Sequence, residues 1–410
     1  MTNLLMTKFM KRRNFIQKSA LASVGTMMIP GFLKALELNN LNKNALTNKK
    51  LVIIQWSGGN DGLNTLIPFE NDIYYKSRPR LAIAKNEVLK LNDDLGFNPV
   101  MSEMKNLFKE GYMTIVNNVG YPNPDRSHFR SMDIWHTGSN SDEYLTTGWL
   151  GRYLDATCGS QCESAHQAIE VDDTLSLVMK GENIKGLALK DAKKLYDATQ
   201  DKNIQALAKL SNHPHEHENV DYLYKTLAET VSSANYIHNK SNTFKNKKEY
   251  PQSPLGHQLK TIAKLINSGI ETNVYYTSIS GFDTHVNQKN QQERLLKMYS
   301  EAVKVFVDDL KQNGHLNDTI IMTFSEFGRR VSQNASGGTD HGTANNLYLI
   351  GGNLKKAGIY NEQPNLSDLD EGDLKYSVDF RSIYATLIKK HLQANEKSIL
   401  CGSFPLMDFI

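Results

Sequence analysis

Three polar clusters and one aspartate stand where apolar runs end, and their side chains are suited to metal chemistry. Three lie in the last third of the chain, at Gly281–His285, Ser325–Arg329 and Thr339–Gly342. A fourth carboxylate, Asp61, follows the first strong apolar run. Carboxylates and imidazoles gathered at strand ends are what a divalent-metal site needs. The pattern predicts a metal-dependent hydrolase.

The elements that must position these clusters are buried strands alternating with helices. Six continuous apolar runs that end in turn residues predict strands at Leu51–Trp56, Met113–Val119, Ala168–Val171, Val274–Ile279, Thr319–Phe324 and Asn346–Ile350. Apolar residues between Gln291 and Gln312 recur at helical spacing. The alternation predicts an α/β fold with a doubly wound, mostly parallel sheet flanked by helices.

Ligands of doubly wound sheets bind beyond the carboxyl ends of the strands, where the polar clusters are expected to converge. The candidate metal ligands are Asp61, Asp283, His285, Glu326 and His341. With two divalent ions bound there, a hydroxyl or water between them would be acid enough to attack an ester. Taken singly, each carboxylate has the alternative of a turn or helix cap. Ser127 lies after the second strand and is expected to open a helix.

Residues about 183–256 differ in composition from the rest. They are rich in Lys, Asn and Ala, follow a helical period and carry no strand signal, which predicts a helical insertion in an α/β domain spanning residues 45–405. Within the insertion, His213–His217 resembles a metal tract, but Pro214 and the charged surroundings favour a solvated turn.

The formal net charge of +3 comes from the N-terminus. Residues 1–35 contain six basic and no acidic residues, so the remainder carries 41 basic against 44 acidic residues. This balance gives no electrostatic basis for binding nucleic acid. No apolar run reaches the roughly 18 residues that a transmembrane span needs.

The N-terminus has the layout of a targeting segment. Paired Arg12 and Arg13 precede a small and apolar stretch from Ser19 to Leu33, which resembles a bacterial twin-arginine signal within residues 1–35. We expect the twin-arginine export machinery as a partner and a periplasmic or cell-envelope location. The alternative is an amphipathic leader with a chance arginine pair, and both cleavage and retention as an anchor stay open.

Three cysteines leave two interpretations open. Cys158 and Cys162 are close enough in sequence for a local disulfide in an oxidising compartment, or they are two thiols in a loop. Cys401 is left over, and no four-ligand Cys/His spacing indicates a structural zinc.

The motifs carry a family resemblance over residues 10–400. The leader and seven further motifs, in order, resemble the exported family known as domain of unknown function 1501; these motifs are Gly58–Thr65, Arg126–Phe129, Gly148–Arg152, Gly281–His285, Ser325–Arg329, Thr339–Thr343 and Asp379–Arg381. More distantly, Asp318–Gly328 is similar to the strand-plus-ligand segment of the alkaline-phosphatase-like superfamily, which includes sulfatases and phosphoglycerate mutases.

The superfamily resemblance implies a role for each position. Asp61 takes the place of the first-strand ligand, and Asp283 and His285 resemble the Asp/His ligands of a second metal. Glu326 stands where the superfamily has Asp, and His341 corresponds to a late His ligand. The remaining three implied residues are the nucleophilic or bridging hydroxyl of Ser127, with a helix cap as its alternative, and the substrate-binding guanidinium groups of Arg126 and Arg329.

The sequence departs from the superfamily pattern at three points. Phe327 occupies the place of a usual His, the Asp283–His285 spacing is shorter than the usual one, and the Asp340–His341 pair comes one loop later. These departures leave open one metal or two, with Zn, Mn, Ca and Mg not distinguished.

The function predicted from the sequence is an exported metal-dependent hydrolase of phosphate or sulfate esters, with a small anionic ester as substrate. The alternative is a non-catalytic exported metal-binding or scaffold protein that retains the fold. A serine hydrolase using Ser127 is less favoured, because no Gly-x-Ser-x-Gly elbow occurs.

Overall fold

A computed structural model describes residues 48–158, 165–212 and 218–410. The predicted leader and Cys162 lie outside these ranges, as does His213–His217. The strands are β1 Lys50–Ser57, β2 Leu66–Pro68, β3 Leu89–Lys90, β4 Leu95–Phe97, β5 Met113–Gly120, β6 Ala168–Glu170, β7 Leu187–Ala188, β8 Val274–Ser280, β9 Thr319–Ser325, β10 Asn345–Gly351, β11 Gly358–Ile359, β12 Leu369–Asp370, β13 Asp373–Leu374 and β14 Val378–Asp379.

Nine of these strands form one central sheet within the described ranges. Its order is β11-β5-β10-β9-β1-β8-β6-β7, and β14 also pairs with β5. Strand β10 is antiparallel to both of its neighbours, and the remaining pairs are parallel. The mostly parallel sheet predicted from the apolar runs is therefore confirmed, with β10 as its antiparallel member.

Helices cover both faces of this sheet. The α-helices are α1 Asp72–Ser77, α2 Ser102–Lys109, α3 His128–Thr137, α4 Trp149–Cys158, α5 Ala192–Thr199, α6 Lys202–Ala208, α7 Glu218–Ser241, α8 Pro254–Asn267, α9 Gln288–Gln312, α10 Phe380–Thr386 and α11 Glu396–Ile399. No described helix is both long and apolar enough to cross a bilayer.

Alternate side chains of β1 belong to two hydrophobic cores, one on each face of the sheet. Val52, Ile54 and Trp56 pack on one face with residues of α2, α8 and α9. Leu51 and Ile53 point to the other face and pack with residues of α3, α4 and α10. Because successive side chains of a strand point to opposite faces, a continuous apolar run is what a strand buried on both sides requires.

The region about 183–256 contains α5, α6 and α7. It also contains the short edge strand β7, which pairs with β6 and which the composition of the region did not predict. Two small additional sheets, β2-β4-β3 and β12-β13, were not predicted either. Their strands are two or three residues long, too short for a periodicity to be recognised.

Candidate metal centre

The order of the central strands brings distant polar loops to one edge of the sheet. Strands β5, β9, β1 and β8 all run toward this edge, and the antiparallel β10 begins there. The loops that meet are therefore those after residues 57, 120, 280 and 325 and the one before residue 345. The three polar clusters identified in the sequence, and Asp61, lie in these loops.

Three histidines surround one aspartate, and we call His128, Asp283, His285 and His341 the His/Asp cluster. One ligand atom each from His128, Asp283 and His341 lies within 4.8 Å of the others. The Nε2 atom of His341 is 3.3 Å and that of His285 3.1 Å from Asp283 Oδ1. His128 Nε2 lies 3.5 Å from Oδ2, and the Nε2 atoms of His285 and His341 are 2.9 Å apart.

The second ring nitrogen of each histidine faces an oxygen that accepts a hydrogen bond. The partners of Nδ1 are Glu326 Oε1 for His128 at 2.9 Å, the Arg126 carbonyl for His341 at 2.8 Å and Asp340 Oδ1 for His285 at 3.2 Å. A carbonyl or an ionised carboxylate can only accept, so Nδ1 must carry the hydrogen in each ring. In a neutral imidazole, Nε2 then presents a lone pair.

The centre of the cluster is therefore rich in electron pairs. Three Nε2 lone pairs meet the carboxylate of Asp283, and His128 Nε2 is a buried atom without a hydrogen-bond partner in the described part of the chain. Such an arrangement is unfavourable unless a proton or a cation lies between the groups. Metal-ligating histidines have this pattern of an oxygen on the outer nitrogen, so the residues present fit a divalent cation.

Charges around the cluster keep Asp283 ionised. Its side chain is 48% exposed. Partial burial by itself would raise the pKa of Asp283, but the hydrogen bond and charge of Arg329 lower that pKa to about 2. The hydrogen bond that His128 donates to Glu326 raises the pKa of His128, whereas burial lowers the pKa of His341.

Arg329, predicted to bind substrate oxygens, lies beneath Asp283. Its side chain is fully buried, and Nη2 donates to Asp283 Oδ1 at 2.7 Å. The other donors reach backbone carbonyls of three loops, those of Gly58 and Gly59, of Phe282 and of Thr339. These contacts favour a role in orienting Asp283, and substrate binding by Arg329 stays a prediction.

Glu326, predicted as a metal ligand, lies behind His128 rather than beside Asp283. Its buried Oε1 accepts from His128 Nδ1 and from the backbone N–H of Gly58 at 2.8 Å, and Oε2 accepts from the Ser325 hydroxyl at 3.2 Å. Gly58 has φ +121°, and a Cβ there would lie 2.3 Å from the Asp283 nitrogen. Glycine is thus required where the loop after β1 contacts the loop after β8.

Asp61, the other predicted ligand from outside the cluster, forms a buried ion pair. Its Oδ2 accepts from Arg78 Nη1 at 2.6 Å, and both side chains are fully buried. The same oxygen accepts from Gln288 Nε2, and Oδ1 accepts from the Leu63 backbone N–H at 3.2 Å. The carboxylate is occupied by these partners, so a metal role for Asp61 stays a prediction that the contacts do not favour.

Ser127 precedes α3 at its N-cap position but does not cap the helix with its side chain. The residue is exposed, and its hydroxyl has no hydrogen-bond partner among the described residues. Both neighbours belong to the site, since the Arg126 carbonyl holds His341 and His128 is in the His/Asp cluster. The Arg126 guanidinium is partly exposed and is paired with the buried Asp373.

Phe327, at the position of a usual histidine, forms an apolar wall of the site. Its buried ring lies 4.9 Å from the ring of His128 and 4.8 Å from that of His341. The ring stands where a further imidazole would be needed for the usual ligand set. It also fixes the orientation of the two imidazoles against a rigid surface.

His128 is the functional candidate that the sequence did not single out. It lies in the Arg126–Phe129 motif, but it follows Ser127 as the first residue of a helix rather than the end of a strand. The sequence did contain a clue to His128. A histidine that directly follows the candidate nucleophile, within a motif shared with the family, is a reasonable candidate ligand. Only the folded structure shows that it meets Asp283, which is far away along the chain.

Three solved structures are similar to this chain at low identity. The zinc complex of the C-terminal periplasmic domain of EcEptC from Escherichia coli has 10% identity, 75% and 74% coverage of this chain and that one, and a TM-score of 0.37. A protein in the alkaline phosphatase superfamily from Vibrio parahaemolyticus has 11% identity, 88% and 70% coverage, and a TM-score of 0.37. The phosphonate monoester hydrolase of Silicibacter pomeroyi has 8% identity, 76% and 69% coverage, and a TM-score of 0.34.

These values are too low to transfer an activity to this chain. Among curated proteins, no sequence matches it. The family described as "Protein of unknown function (DUF1501)" matches residues 48–399, which is most of the chain. The resemblance identified from the ordered motifs is thereby confirmed, and the chain belongs to this family.

Proposed function

We propose that this protein is an exported metal-dependent hydrolase of phosphate or sulfate esters. The observation that carries the proposal is the convergence of three imidazole Nε2 atoms on Asp283, with an oxygen acceptor on every Nδ1. A bound divalent cation would supply Lewis-acid polarisation of an ester oxygen and would acidify a nearby hydroxyl or water. The substrate is a small anionic ester.

The cation is assigned to His128, His341 and Asp283, with His285 as the fourth donor. This set is rich in imidazole, whereas Ca²⁺ and Mg²⁺ prefer oxygen ligands. Among the ions left open by the sequence, zinc therefore suits the set best. We assign one ion rather than two, since Phe327 occupies the wall beside His128 and His341.

Ser127 is the proposed nucleophile. Its hydroxyl is exposed, makes no cap hydrogen bond and stands at the N-terminus of a ten-residue helix, whose free N–H groups favour an anionic group. Attack of Oγ on phosphorus or sulfur would displace the alcohol of the ester. Displacement by water would then release phosphate or sulfate and restore the hydroxyl.

Arg126 is the proposed contact for the non-reacting oxygens of the ester. Its Nε and Nη2 groups bond to Asp373, while Nη1 has no hydrogen bond within the described ranges. The buried Asp373 holds the guanidinium in place without enclosing it, and a fixed guanidinium suits the oxygens of a tetrahedral anion.

Export is proposed from the leader, since a metal-loaded and folded protein is what the twin-arginine route carries. Fractionation of cells producing the full chain and an Arg12→Lys/Arg13→Lys variant tests this. We expect the parent in the periplasm or cell envelope and the variant in the cytoplasm. The same location for both would contradict the proposal.

Metal content is the direct test of the proposed centre. Purified parent protein should contain about one equivalent of zinc or another transition metal, and His128→Gln and Asp283→Asn should each lose it. His257→Gln and Asp93→Asn, at exposed positions outside the cluster, are matched controls that should retain the metal. Full metal content in both cluster variants would show that the ion is bound elsewhere.

A second candidate function is non-catalytic metal binding. The burial of Arg329 against Asp283, which does not favour the predicted contact of Arg329 with a substrate, supports this candidate. Hydrolysis of aryl phosphates, phosphodiesters and aryl sulfates by the metal-loaded protein separates the two candidates. Activity that is lost in Ser127→Ala with metal retained supports the hydrolase; activity that survives indicates water as the nucleophile.

A further inference from the structure

Two polar cavities adjoin each other beside the metal centre. Their volumes are about 510 Å³ and 400 Å³, and both are lined by Asn361, Glu362, Gln363 and Asn365. We call the continuous depression the amide groove. Volumes of this size are typical of small-molecule sites. One wall is formed by residues 374–378, which directly follow Asp373, the partner of Arg126. The groove therefore lies next to the site but outside the His/Asp cluster.

Asn118 lies at the base of the amide groove in an unfavourable state. It is 8% exposed and has φ +54° within β5, a backbone conformation that is strained for a residue other than glycine. Its Nδ2 donates to the Glu362 carbonyl at 3.3 Å, while Oδ1 is buried without a hydrogen-bond partner in the described structure. A strained residue with an orphaned acceptor is a feature expected where a ligand binds.

Two side chains in the walls of the groove offer polar groups that are not committed elsewhere in the described part of the chain. The Tyr376 ring is 39% exposed, and neither its hydroxyl nor the Gln363 amide has a hydrogen bond within the described ranges. Lys375 and Asp368 neutralise each other in an ion pair. Asp94 and Glu362 add two carboxylates, so the lining combines amides, hydroxyls and a net negative charge with one exposed aromatic face.

We propose that the amide groove binds a neutral saccharide chain. Each sugar hydroxyl both donates and accepts hydrogen bonds, so it can pair with amide and carboxylate side chains alike. The net negative charge of the lining disfavours an anionic ligand. The apolar C–H face of a sugar ring suits the exposed Tyr376 ring, since an aromatic side chain offers an apolar body with a polar tip. The inference goes beyond the proposed function and does not depend on the metal centre.

Binding of neutral hexasaccharides tests the proposal. A panel in gluco, manno and galacto configurations is titrated into the protein, and binding is measured by saturation-transfer NMR and calorimetry. At least one should bind with a dissociation constant below about 10 mM. Tyr376→Ala and Asn118→Gly should each weaken that binding about tenfold. Glycine relieves the backbone strain at position 118, so this variant removes the amide without unfolding the protein.

Two controls isolate the groove. Tyr144→Ala removes a tyrosine that is 77% exposed but does not line the groove, and it should bind like the parent. Asp283→Asn, expected to lose the metal, should also keep saccharide binding, so failure of one proposal is distinguishable from failure of the other. The proposal is overturned if no member of the panel binds, or if Tyr376→Ala and Asn118→Gly bind as tightly as the parent.

Discussion

Replacing Glu326 by glutamine tests whether Glu326 binds the metal itself or only holds the ligand His128 in place. Glu326 contacts His128 Nδ1 at 2.9 Å and the Gly58 N–H at 2.8 Å through the same oxygen. Glutamine retains the shape of the side chain and one carbonyl oxygen that can accept both bonds. Its amide nitrogen would lie where Oε2 now faces the Ser325 hydroxyl, which can accept a hydrogen bond.

The expected effect follows from the loss of charge at one buried hydrogen bond. A hydrogen bond to a charged group contributes about 1.5–3 kcal/mol, and a neutral one about 0.5–1.5 kcal/mol. The difference of about 1–1.5 kcal/mol corresponds to about tenfold weaker metal binding. This agrees with the roughly 10–100-fold effect typical of residues that orient a ligating histidine.

Competition of the metal-free protein with a chromophoric chelator measures this difference, with Glu87→Gln at an exposed position as the control. An unchanged dissociation constant for Glu326→Gln would refute the inference that His128 ligates the metal while held by Glu326. Complete loss of metal binding would also refute this inference. It would identify Glu326 as a ligand itself, as its position in the sequence predicts.

Three further predictions concern two buried carboxylates and one glycine in the loop after β1. Asp61→Asn leaves Arg78 buried without its counter-ion and should lower the free energy of unfolding by about 3–5 kcal/mol in denaturant titrations. The metal content per folded molecule should stay unchanged. Loss of the metal would instead identify Asp61 as a ligand. Gly58→Ala forces a Cβ to within 2.3 Å of the Asp283 nitrogen and should lower both the thermal midpoint and metal content; a parent-like midpoint would contradict the close approach of the two loops. Burial raises the pKa of Glu170 to about 7, so between roughly pH 4.5 and 7 only the unfolded chain loses this proton, and stability should fall by about 3 kcal/mol as pH rises. Glu170→Gln should remove this contribution in unfolding titrations at pH 5 and 8, and an equal pH dependence in both proteins would exclude Glu170 as its source.

The central strands were predictable because burial on both faces demands uninterrupted apolar runs. Runs such as Leu51–Trp56 and Thr319–Phe324 carry that signal locally, and the observed strands extend them by one residue at each end or at one end. The direction of β10 was not predictable in the same way. A short apolar strand has the same composition whether its neighbours run with it or against it.

The convergence of the polar loops was predictable, but the contacts of the individual side chains were less so. Strand ends pointed correctly to one edge of the sheet, where Asp283, His285 and His341 meet. His128 escaped the same reasoning because its position depends on how α3 crosses the ends of the strands. No periodicity in the sequence encodes that crossing.

The carboxylates show why residue type and position do not by themselves identify a ligand. An ionised carboxylate in the interior requires a partner, and the partner comes from a distant part of the chain. Arg78 reaches Asp61 in full burial, where Gln288 shares the same oxygen. Arg329 reaches Asp283 too, but it takes only Oδ1 and leaves Oδ2 facing His128 at the surface. The same kind of ion pair therefore occupies the carboxylate of one aspartate and leaves an oxygen of the other available for the proposed cation.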